Sequence, residues 1–335
     1  MEKETFWDKV NRRGWYEIRK RLSGHLYLLT YPSYWHYLFH RKKIIDNNVT
    51  CYYTARPNIG AGIGHQMANW IAGYWNAKQF GLKFAHIPFA QDKWETFLGF
   101  GLNEDSFYDL KNKGYRVRRL PEFDAQTRKF FDLNKRIIAT YSGTKTIFIA
   151  TQDQFLRDLY LESSDMINKF YNTPARNDDH LEYSKDHYNI AIHVRRVVVI
   201  DGKTIVENEA AHQLRWLSND YYETVLKQVL EHLHVDKPIS IWLFSTGKAE
   251  EFQSFNKYGE IHFCNDMDEY RSFAHLVFAD LLITSKSSFS YKPALMNQGI
   301  KVCPRNFWHG YPDAKDWILC ENNGNILDEE IRKLK

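Results

Sequence analysis

Residues 188–196 read Tyr-Asn-Ile-Ala-Ile-His-Val-Arg-Arg, an apolar run of strand length that ends in two arginines. Ligands of open α/β sheets bind outside the carboxyl ends of the strands, so His193, Arg195 and Arg196 fall where a ligand is expected. Guanidinium groups hold a diphosphate through paired, charge-assisted hydrogen bonds. The stretch therefore predicts a sheet strand followed by a site for an anionic donor such as a nucleotide sugar. The alternative is a solvated loop or a surface ion pair.

Around this strand, short apolar runs alternate with helix-length segments, which predicts parallel sheets. The predicted strands are 51–55, 83–87, 146–150, 188–194, 239–245, 261–264, 281–284 and 301–303. The predicted helices are 65–80, 152–171, 220–232 with Glu223 in a capping box, 248–257, 266–278 and 288–297. The polar stretch 173–186 is the predicted linker between two α/β halves.

Composition favours a globular chain of two domains, with 335 residues, 44% hydrophobic and 16% aromatic. Its net charge is +4, yet residues 1–43 alone carry ten Lys or Arg and four Asp or Glu. The rest of the chain is therefore slightly negative, which argues against nucleic-acid binding.

The basic segment 1–43 also contains ten aromatic residues among its cationic clusters, a composition that suits the headgroup region of an anionic membrane. It lacks the roughly 20 consecutive apolar residues of a membrane-spanning helix, and it has no signal-peptide cleavage pattern. The alternative is a basic helix packed on the protein's own surface.

The chain has four cysteines that lie far apart in the sequence, namely Cys51, Cys264, Cys303 and Cys320. Three of the four fall in or beside apolar runs. We expect buried free thiols in a reducing compartment and no zinc site. The predicted location is cytoplasmic, with peripheral membrane contact.

A glycine-rich turn follows the first predicted strand and reads Gly60-Ala61-Gly62-Ile63-Gly64. Its spacing differs from the dinucleotide-binding pattern, and no acidic residue closes the second strand, so hydride transfer is disfavoured. Glycines still let the backbone approach a ligand, and the helix that follows favours a negative group. The alternative is a tight crossover without a ligand.

A serine-rich turn, residues 285–290, follows the strand 281–284 and opens a helix. Its hydroxyl and backbone N–H groups suit an anion, although plain helix capping by Ser287 or Ser288 explains them equally well. The sequence Asp266-Met267-Asp268 has the Asp-x-Asp form that often holds a metal on a diphosphate. It lies at a predicted helix start, where carboxylates cap, so no metal is predicted.

The order of these three segments resembles the inverting GDP-fucose-dependent fucosyltransferases over residues 52–320. The likeness is greatest to the α-1,2-fucosyltransferase family (glycosyltransferase family 11), with the α-1,6 and protein O-fucosyl families as cousins. Residues 62–67, Gly-Ile-Gly-His-Gln-Met, look like that family's Gly-x-Gly-Asn-Gln-Met. Residues 218–222 look like its Ser-x-x-Tyr-Tyr helix start, and residues 287–290 with 304–308 look like its closing motif.

The resemblance implies an α/β fold of GT-B type, with two Rossmann-like domains facing a cleft. These would be an acceptor-side domain at 49–175 and a donor domain at 186–330, after a basic aromatic segment at 1–48. It also implies metal-independent, inverting transfer of L-fucose from GDP-fucose to a hydroxyl of a glycan acceptor, without a cofactor.

The same resemblance assigns the site residues. Arg195 is the catalytic candidate, because it would bind the β-phosphate of the donor. The donor- and substrate-binding candidates are His193, Arg196, Gly62, Gly64, His65, Gln66, Ser285, Ser287, Ser288 and Phe289.

Two departures from the family pattern leave the sugar open. The family's Arg-Arg-Gly-Asp is replaced by a longer run to Asp201, and Ser272 stands where the family often has an acidic residue. Asp201, Glu207 and Glu209 are the candidates for a catalytic base. Two alternatives remain: a GT-B transferase for another nucleotide sugar, and a non-catalytic, membrane-associated glycan- or phosphate-binding protein.

Overall fold

The computed structural model describes residues 6–41, 51–58, 60–122, 127–149, 156–196, 199–200, 203–204 and 215–334. The chain forms two compact units. The first unit comprises Met1–Asn58, Ala68–Pro88 and Asn103–Leu156, and the second comprises Ile59–Met67, Phe89–Leu102 and Arg157–Lys335.

Thirteen strands lie in the described part of the chain. In chain order they are β1 (Tyr52–Thr54), β2 (Lys83–His86), β3 (Asp105–Ser106), β4 (Arg116–Arg119), β5 (Thr146–Ile149), β6 (Tyr188–Val194), β7 (Val199–Ile200), β8 (Lys203–Thr204), β9 (Ile239–Ser245), β10 (Ile261–Phe263), β11 (Leu281–Ile283), β12 (Ile300–Pro304) and β13 (Trp317–Cys320).

Helices connect most of these strands. The α-helices are Phe6–Arg21, Gly24–Leu29, Pro32–His40, Ile63–Phe80, Asp92–Leu98, Phe107–Asn112, Phe131–Ala139, Ser163–Tyr171, Asn219–His232, Glu269–Phe278, Ser288–Met296 and Asp328–Ile331. Short 3₁₀ helices span Leu159–Glu162, Pro174–Asp178, Ala249–Tyr258 and Arg332–Leu334. No helix among these described residues is both long enough and apolar enough to cross a membrane.

The second unit is built on a six-stranded parallel sheet in the order β10-β9-β6-β11-β12-β13. Numbered from β6, this is the order 3-2-1-4-5-6 of Rossmann dinucleotide-binding folds. β6 is buried from Asn189 to Val194, because helices cover both faces of a parallel sheet. Strands buried in this way read as continuous apolar runs, which is why the sequence predicted them.

The first unit contains a five-stranded parallel sheet in the order β3-β2-β1-β5-β4. The predicted α/β class with two parallel sheets is therefore confirmed. Close packing positions the helix that follows β1, since a Cβ built at Gly73 would lie 2.3 Å from Cβ of Ala55.

The N-terminal helices pack on the first unit through one face. Tyr31 and Ser33 are buried there, and Oγ of Ser33 donates to the carbonyl of Arg119 on β4 at 2.5 Å. His36 stacks on Tyr141 with ring centroids 3.9 Å apart. One face of this segment is therefore packed on the protein's own surface, which was one of the two alternatives for the segment in the sequence analysis.

Several predicted elements need correction. Residues 152–155 of the helix predicted at 152–171 lie outside the described residues, and the described part is α-helical from Ser163, after a 3₁₀ turn. The segment 249–258 is a 3₁₀ helix. The capping box is wrong: Ser218 caps the helix Asn219–His232, and Glu223 bonds to Lys257 and Ser254 instead. The four cysteines are buried, as predicted.

Candidate functional site

The candidate site lies where the strand order of the second unit reverses. β6 stands between β9 and β11, and its Ile192 pairs with Ile283 of β11. The segments that follow these two strands therefore leave the sheet side by side at its carboxyl edge. Because the connections then run in opposite directions, this is the point at which open α/β sheets form a ligand crevice.

His193 and Ser285 meet at this edge. Nδ1 of His193 lies 2.8 Å from Oγ of Ser285, and both residues are buried. Burial, followed by the charge of Arg195, lowers the pKa of His193 to about 3. The imidazole is therefore neutral at physiological pH, and it supplies a hydrogen bond without a charge. Its ring lies 5.5 Å from the ring of Phe289.

Arg195 points to the start of the helix Ser288–Met296, which follows β11. Its Nη1 donates to Oγ of Ser287 at 3.4 Å, and Ser287 caps the helix Ser288–Met296 by accepting from the amide of Phe289 at 3.2 Å. A guanidinium and the positive end of a helix dipole thus face the same small region. Each of them favours a negative group, and together they suit a phosphate.

Arg196 turns the other way, as expected for neighbours in an extended chain. Its guanidinium is buried, donates to the carbonyl of Leu217 at 3.3 Å and to the side chain of Asn219, and lies 4.6 Å from the ring centre of Trp216. Burial lowers the pKa of Arg196, and Glu251 opposes that shift. These contacts anchor the segment that precedes the helix Asn219–His232, and a role in donor binding stays a prediction.

The glycine-rich turn packs in the second unit, against the serine-rich turn. A Cβ built at Gly64 would lie 2.8 Å from the backbone carbon and oxygen of Ser288, so this close approach requires glycine. Gly62 is exposed, and a Cβ there would meet nothing within 4 Å. Of the two predicted glycines, Gly64 is therefore the one that shapes the site.

Gln66 holds this turn in place. Its side-chain amide donates to the carbonyl of Ala61 at 2.9 Å, and its oxygen accepts from the amide of Ala90 at 2.9 Å. The side chain is 4% exposed. His65, next to it, is half-buried, and it is one of the groups that lower the pKa of His309. Direct contact of these two residues with a donor or acceptor stays a prediction.

Comparison with solved structures gives three fucosyltransferases among the similar folds. NodZ α-1,6-fucosyltransferase, an enzyme from Bradyrhizobium, matches with 14% identity over 74% of this chain and 93% of that chain, at a TM-score of 0.41 in its form soaked with GDP-fucose. A mutant of Arabidopsis thaliana FUT1 in complex with GDP matches with 16% identity over 93% and 82%, at 0.44. POFUT1 in complex with GDP matches with 13% identity over 77% and 99%, at 0.41.

No protein-family model and no curated protein sequence matches the chain. Because the three structural similarities have TM-scores below 0.5, they assign neither an activity nor a ligand to this chain. Its function must be argued from the contacts of its own residues.

The sequence left two roles for carboxylates undecided, a metal ligand at Asp266-Met267-Asp268 and a catalytic base. Asp268 caps the helix Glu269–Phe278 by accepting from the amides of Tyr270 and Arg271, both at 3.0 Å. Across the described ranges, no group of three or more His, Cys, Asp or Glu side chains is placed to hold a metal ion. The candidate bases Asp201, Glu207 and Glu209 lie outside the described residues.

One buried cation near the site, Lys292, was not predicted from the sequence. Lys292 lies one helical turn after Ser288, on the same face of the helix, and it is fully buried. A lysine normally reads as a solvated side chain. The one local sign of its burial is that its neighbours Tyr291, Pro293 and Ala294 are apolar.

Proposed function

We propose that the protein is a glycosyltransferase that transfers L-fucose from GDP-fucose to a hydroxyl of a glycan acceptor, with inversion at the anomeric carbon. One observation supports this more than any other: Arg195 bonds to the capping residue of the helix Ser288–Met296 at the point where the strand order reverses. The order of the three motifs in the sequence supports the choice of donor.

In this reaction the acceptor oxygen forms a bond to the anomeric carbon while the bond from that carbon to the β-phosphate oxygen breaks. The electron pair leaves with GDP, so negative charge grows on the β-phosphate. A fixed cation and a helix N-terminus aimed at that oxygen stabilise the transition state more than the ground state. Arg195 and the amides after Ser287, which face the same small region, would fill these two roles. The proton of the acceptor hydroxyl goes to a base, for which Asp201, Glu207 and Glu209 are the candidates.

His193 contributes in a different way. Because its imidazole stays neutral, it binds a polar group of the nucleotide without competing with Arg195 for the negative charge. Its bond to Ser285 fixes the orientation of the ring. A protonated imidazole beside Arg195 would be repelled, which agrees with the direction of its pKa shift.

Calorimetric titration with GDP, UDP, GDP-fucose and GDP-mannose tests this proposal, with each ligand measured in EDTA and then in Mg²⁺. We expect GDP and GDP-fucose to bind most tightly, and EDTA to leave both binding and transfer unchanged. Equal affinity for UDP would contradict the donor assignment. Loss of activity in EDTA, restored by Mg²⁺, would assign a metal role to Asp266 and Asp268.

We further propose that the N-terminal segment docks on an anionic membrane surface. The face of its second and third helices opposite the packed one exposes four large apolar side chains: Leu26 (61%), Leu29 (37%), Trp35 (44%) and Phe39 (78%). Trp35 connects the two helices, since its Nε1 donates to the carbonyl of Leu29 at 2.8 Å and its ring stacks on Phe39 with centroids 6.3 Å apart. We call these four residues the apolar face.

Positive charge surrounds the apolar face in sequence. Among the residues of the segment whose side chains the structure describes, the exposed cations are Arg13, Lys20, Arg21 and Arg41. Large apolar side chains exposed next to cations are typical of helices that lie in the interface of an anionic bilayer. Such docking would bring the enzyme to a lipid-borne or membrane-bound acceptor.

A further inference from the structure

Trp308 is an exposed indole that the second unit nevertheless holds in one orientation. It is 42% exposed, and its Nε1 donates to Nε2 of His309 at 3.0 Å. Its ring centre lies 4.4 Å from that of the buried Phe307. The guanidinium of Arg215 lies over the indole, 5.1 Å from the ring centre. An indole fixed by three neighbours is preorganised for a ligand, unlike an isolated apolar side chain on a surface.

The bond to His309 is compatible with only one charge state. Nε2 accepts a hydrogen bond only while the imidazole is neutral. Burial, followed by the charges of Lys292, His65 and Arg215, lowers the pKa of His309 to about 2. The orientation of Trp308 is therefore independent of pH over the physiological range.

Trp308 lies beside the candidate donor site. It follows β12, the neighbour of β11, at the same carboxyl edge of the sheet. The ring of His309 stacks on Tyr291 at 5.5 Å, and Tyr291 belongs to the helix whose first residues face Arg195. Residue 215 precedes Trp216, on which Arg196 stacks. The pair of Trp308 and Arg215 therefore lies at the same edge of the sheet as the proposed diphosphate site.

We propose that Trp308 and Arg215 form the acceptor subsite, in which a pyranose ring of the glycan packs on the exposed part of the indole, beside Arg215, and its hydroxyls accept hydrogen bonds from the guanidinium. This inference rests on the proposed glycosyltransferase function. The C–H face of a pyranose is weakly positive and suits the negative face of an indole. A guanidinium presents several donors in one plane, and sugar hydroxyls accept from them.

Transfer from GDP-fucose to lactose and to N,N′-diacetylchitobiose tests this subsite, with variants Trp308→Ala, Trp308→Phe and Arg215→Gln. We expect Trp308→Ala to raise the KM for the acceptor on the order of 10-fold, because a stacked ring is lost. Trp308→Phe keeps an aromatic face and should recover most of the affinity. In both variants kcat and the Kd for GDP should stay near wild type. Leu161→Ala is the matched control, since Leu161 is an apolar side chain of the second unit that is exposed to a similar extent.

A measurement that does not need turnover accompanies the kinetics. In saturation-transfer NMR of the GDP-bound protein, irradiation of the aromatic protons should reach the ring C–H protons of a disaccharide, and Trp308→Ala should weaken the transfer. The proposal is overturned if neither disaccharide receives saturation from the wild type, or if Trp308→Ala leaves acceptor KM unchanged. A raised Kd for GDP with unchanged acceptor KM would also overturn it, because the indole would then hold the nucleobase. If the wild type binds neither GDP nor GDP-fucose, the proposed function itself fails, and the titration shows this separately.

Discussion

The two units have similar parallel sheets but present different surfaces. In the second unit the strand order reverses between β6 and β11, and buried polar side chains follow both strands, with His193 bonded to Ser285. In the first unit the order reverses at β1, which is followed by Ala55-Arg56-Pro57, while exposed apolar side chains concentrate in the N-terminal helices. Topology therefore offers a crevice in both units, and the residues placed after the strands decide whether it becomes an anion site.

The neighbouring arginines give the largest expected contrast within the second unit. Arg195→Ala should lower kcat on the order of 10²–10³-fold, the usual cost of removing one fixed donor from a preorganised site. Arg195→Lys should lower kcat nearly as much, because an ammonium keeps the charge but cannot form the paired hydrogen bonds of a guanidinium. Steady-state kinetics at saturating donor, with a melting curve for each variant, measure this. Wild-type turnover by folded Arg195→Ala protein would rule out the diphosphate assignment.

Arg196→Ala is the matched comparison for Arg195. Its guanidinium bonds to the carbonyl of Leu217 and to Asn219 inside the unit, so its loss leaves buried acceptors without a partner. We expect a loss of about 3 kcal/mol in the free energy of unfolding, with a much smaller effect on the kcat of the folded fraction. The two neighbours should thus separate activity from stability, and equal effects of both on kcat would argue against that separation.

The two glycines of the first turn form the next pair. Gly64→Ala places a methyl group against the backbone of Ser288, at a cost of about 1–3 kcal/mol if the turns cannot separate. We expect the affinity for GDP to fall about 10-fold, because Ser288 moves with the helix start. Gly62→Ala projects into open space and should bind GDP like the wild type. Titration of both variants decides the matter, and unchanged affinity in Gly64→Ala would remove the turn from the donor site.

The comparison extends to the surfaces of the two units. The pair Leu26→Ser and Phe39→Ser should weaken binding to vesicles that contain phosphatidylserine by about 10-fold, because two exposed apolar side chains no longer enter the bilayer. Ile239→Ser with Leu327→Ser, equally polar changes at exposed sites of the second unit, is the control. Sedimentation with vesicles measures both. Equal binding by the two double variants would disprove docking through the apolar face.

Point substitutions are needed here because the segment also has a structural role. Leu28, Tyr31 and Tyr34 are buried against the first unit, so deletion of residues 1–43 would expose apolar core. Loss of membrane binding in such a truncated chain would not separate docking from unfolding.

How much the sequence predicts depends on the burial of each element. β6 and β9 are buried on both faces, and their continuous apolar runs identified them correctly. β4 reads Arg-Val-Arg-Arg and was not predicted. It lies at the edge of its sheet and is held by pairing with β5, so its strand conformation comes from tertiary contacts rather than from its own pattern.

The same limit applies to the candidate site. Strand ends and helix starts can be located from sequence, so Arg195, Ser285 and Ser287 were identified as candidates. The contact between Gly64 and Ser288 joins residues more than 200 positions apart, and no local pattern encodes it. The buried Lys292 and the pair of Trp308 and Arg215 depend in the same way on packing between distant segments.

The smallest expected effect is a dependence of stability on pH that belongs to the second unit. His193 and His309 both lie there, and burial lowers their pKa values to about 3 and about 2, from about 6.5 in the unfolded chain. Below pH 6.5 the unfolded chain binds protons that the folded protein does not, so stability is full above that pH and falls as the pH is lowered. Between pH 6.5 and 5.5 we expect a loss of about 1 kcal/mol in the free energy of unfolding for each histidine.

A double variant tests this dependence. The amide of Asn lies where Nδ1 of a histidine lies, and the amide of Gln lies where Nε2 lies, so His193→Asn with His309→Gln keeps both hydrogen bonds while removing both titrations. Urea unfolding at several pH values should show a flatter profile for this double variant, and a profile parallel to that of the wild type would mean that these imidazoles are protonated in the folded protein.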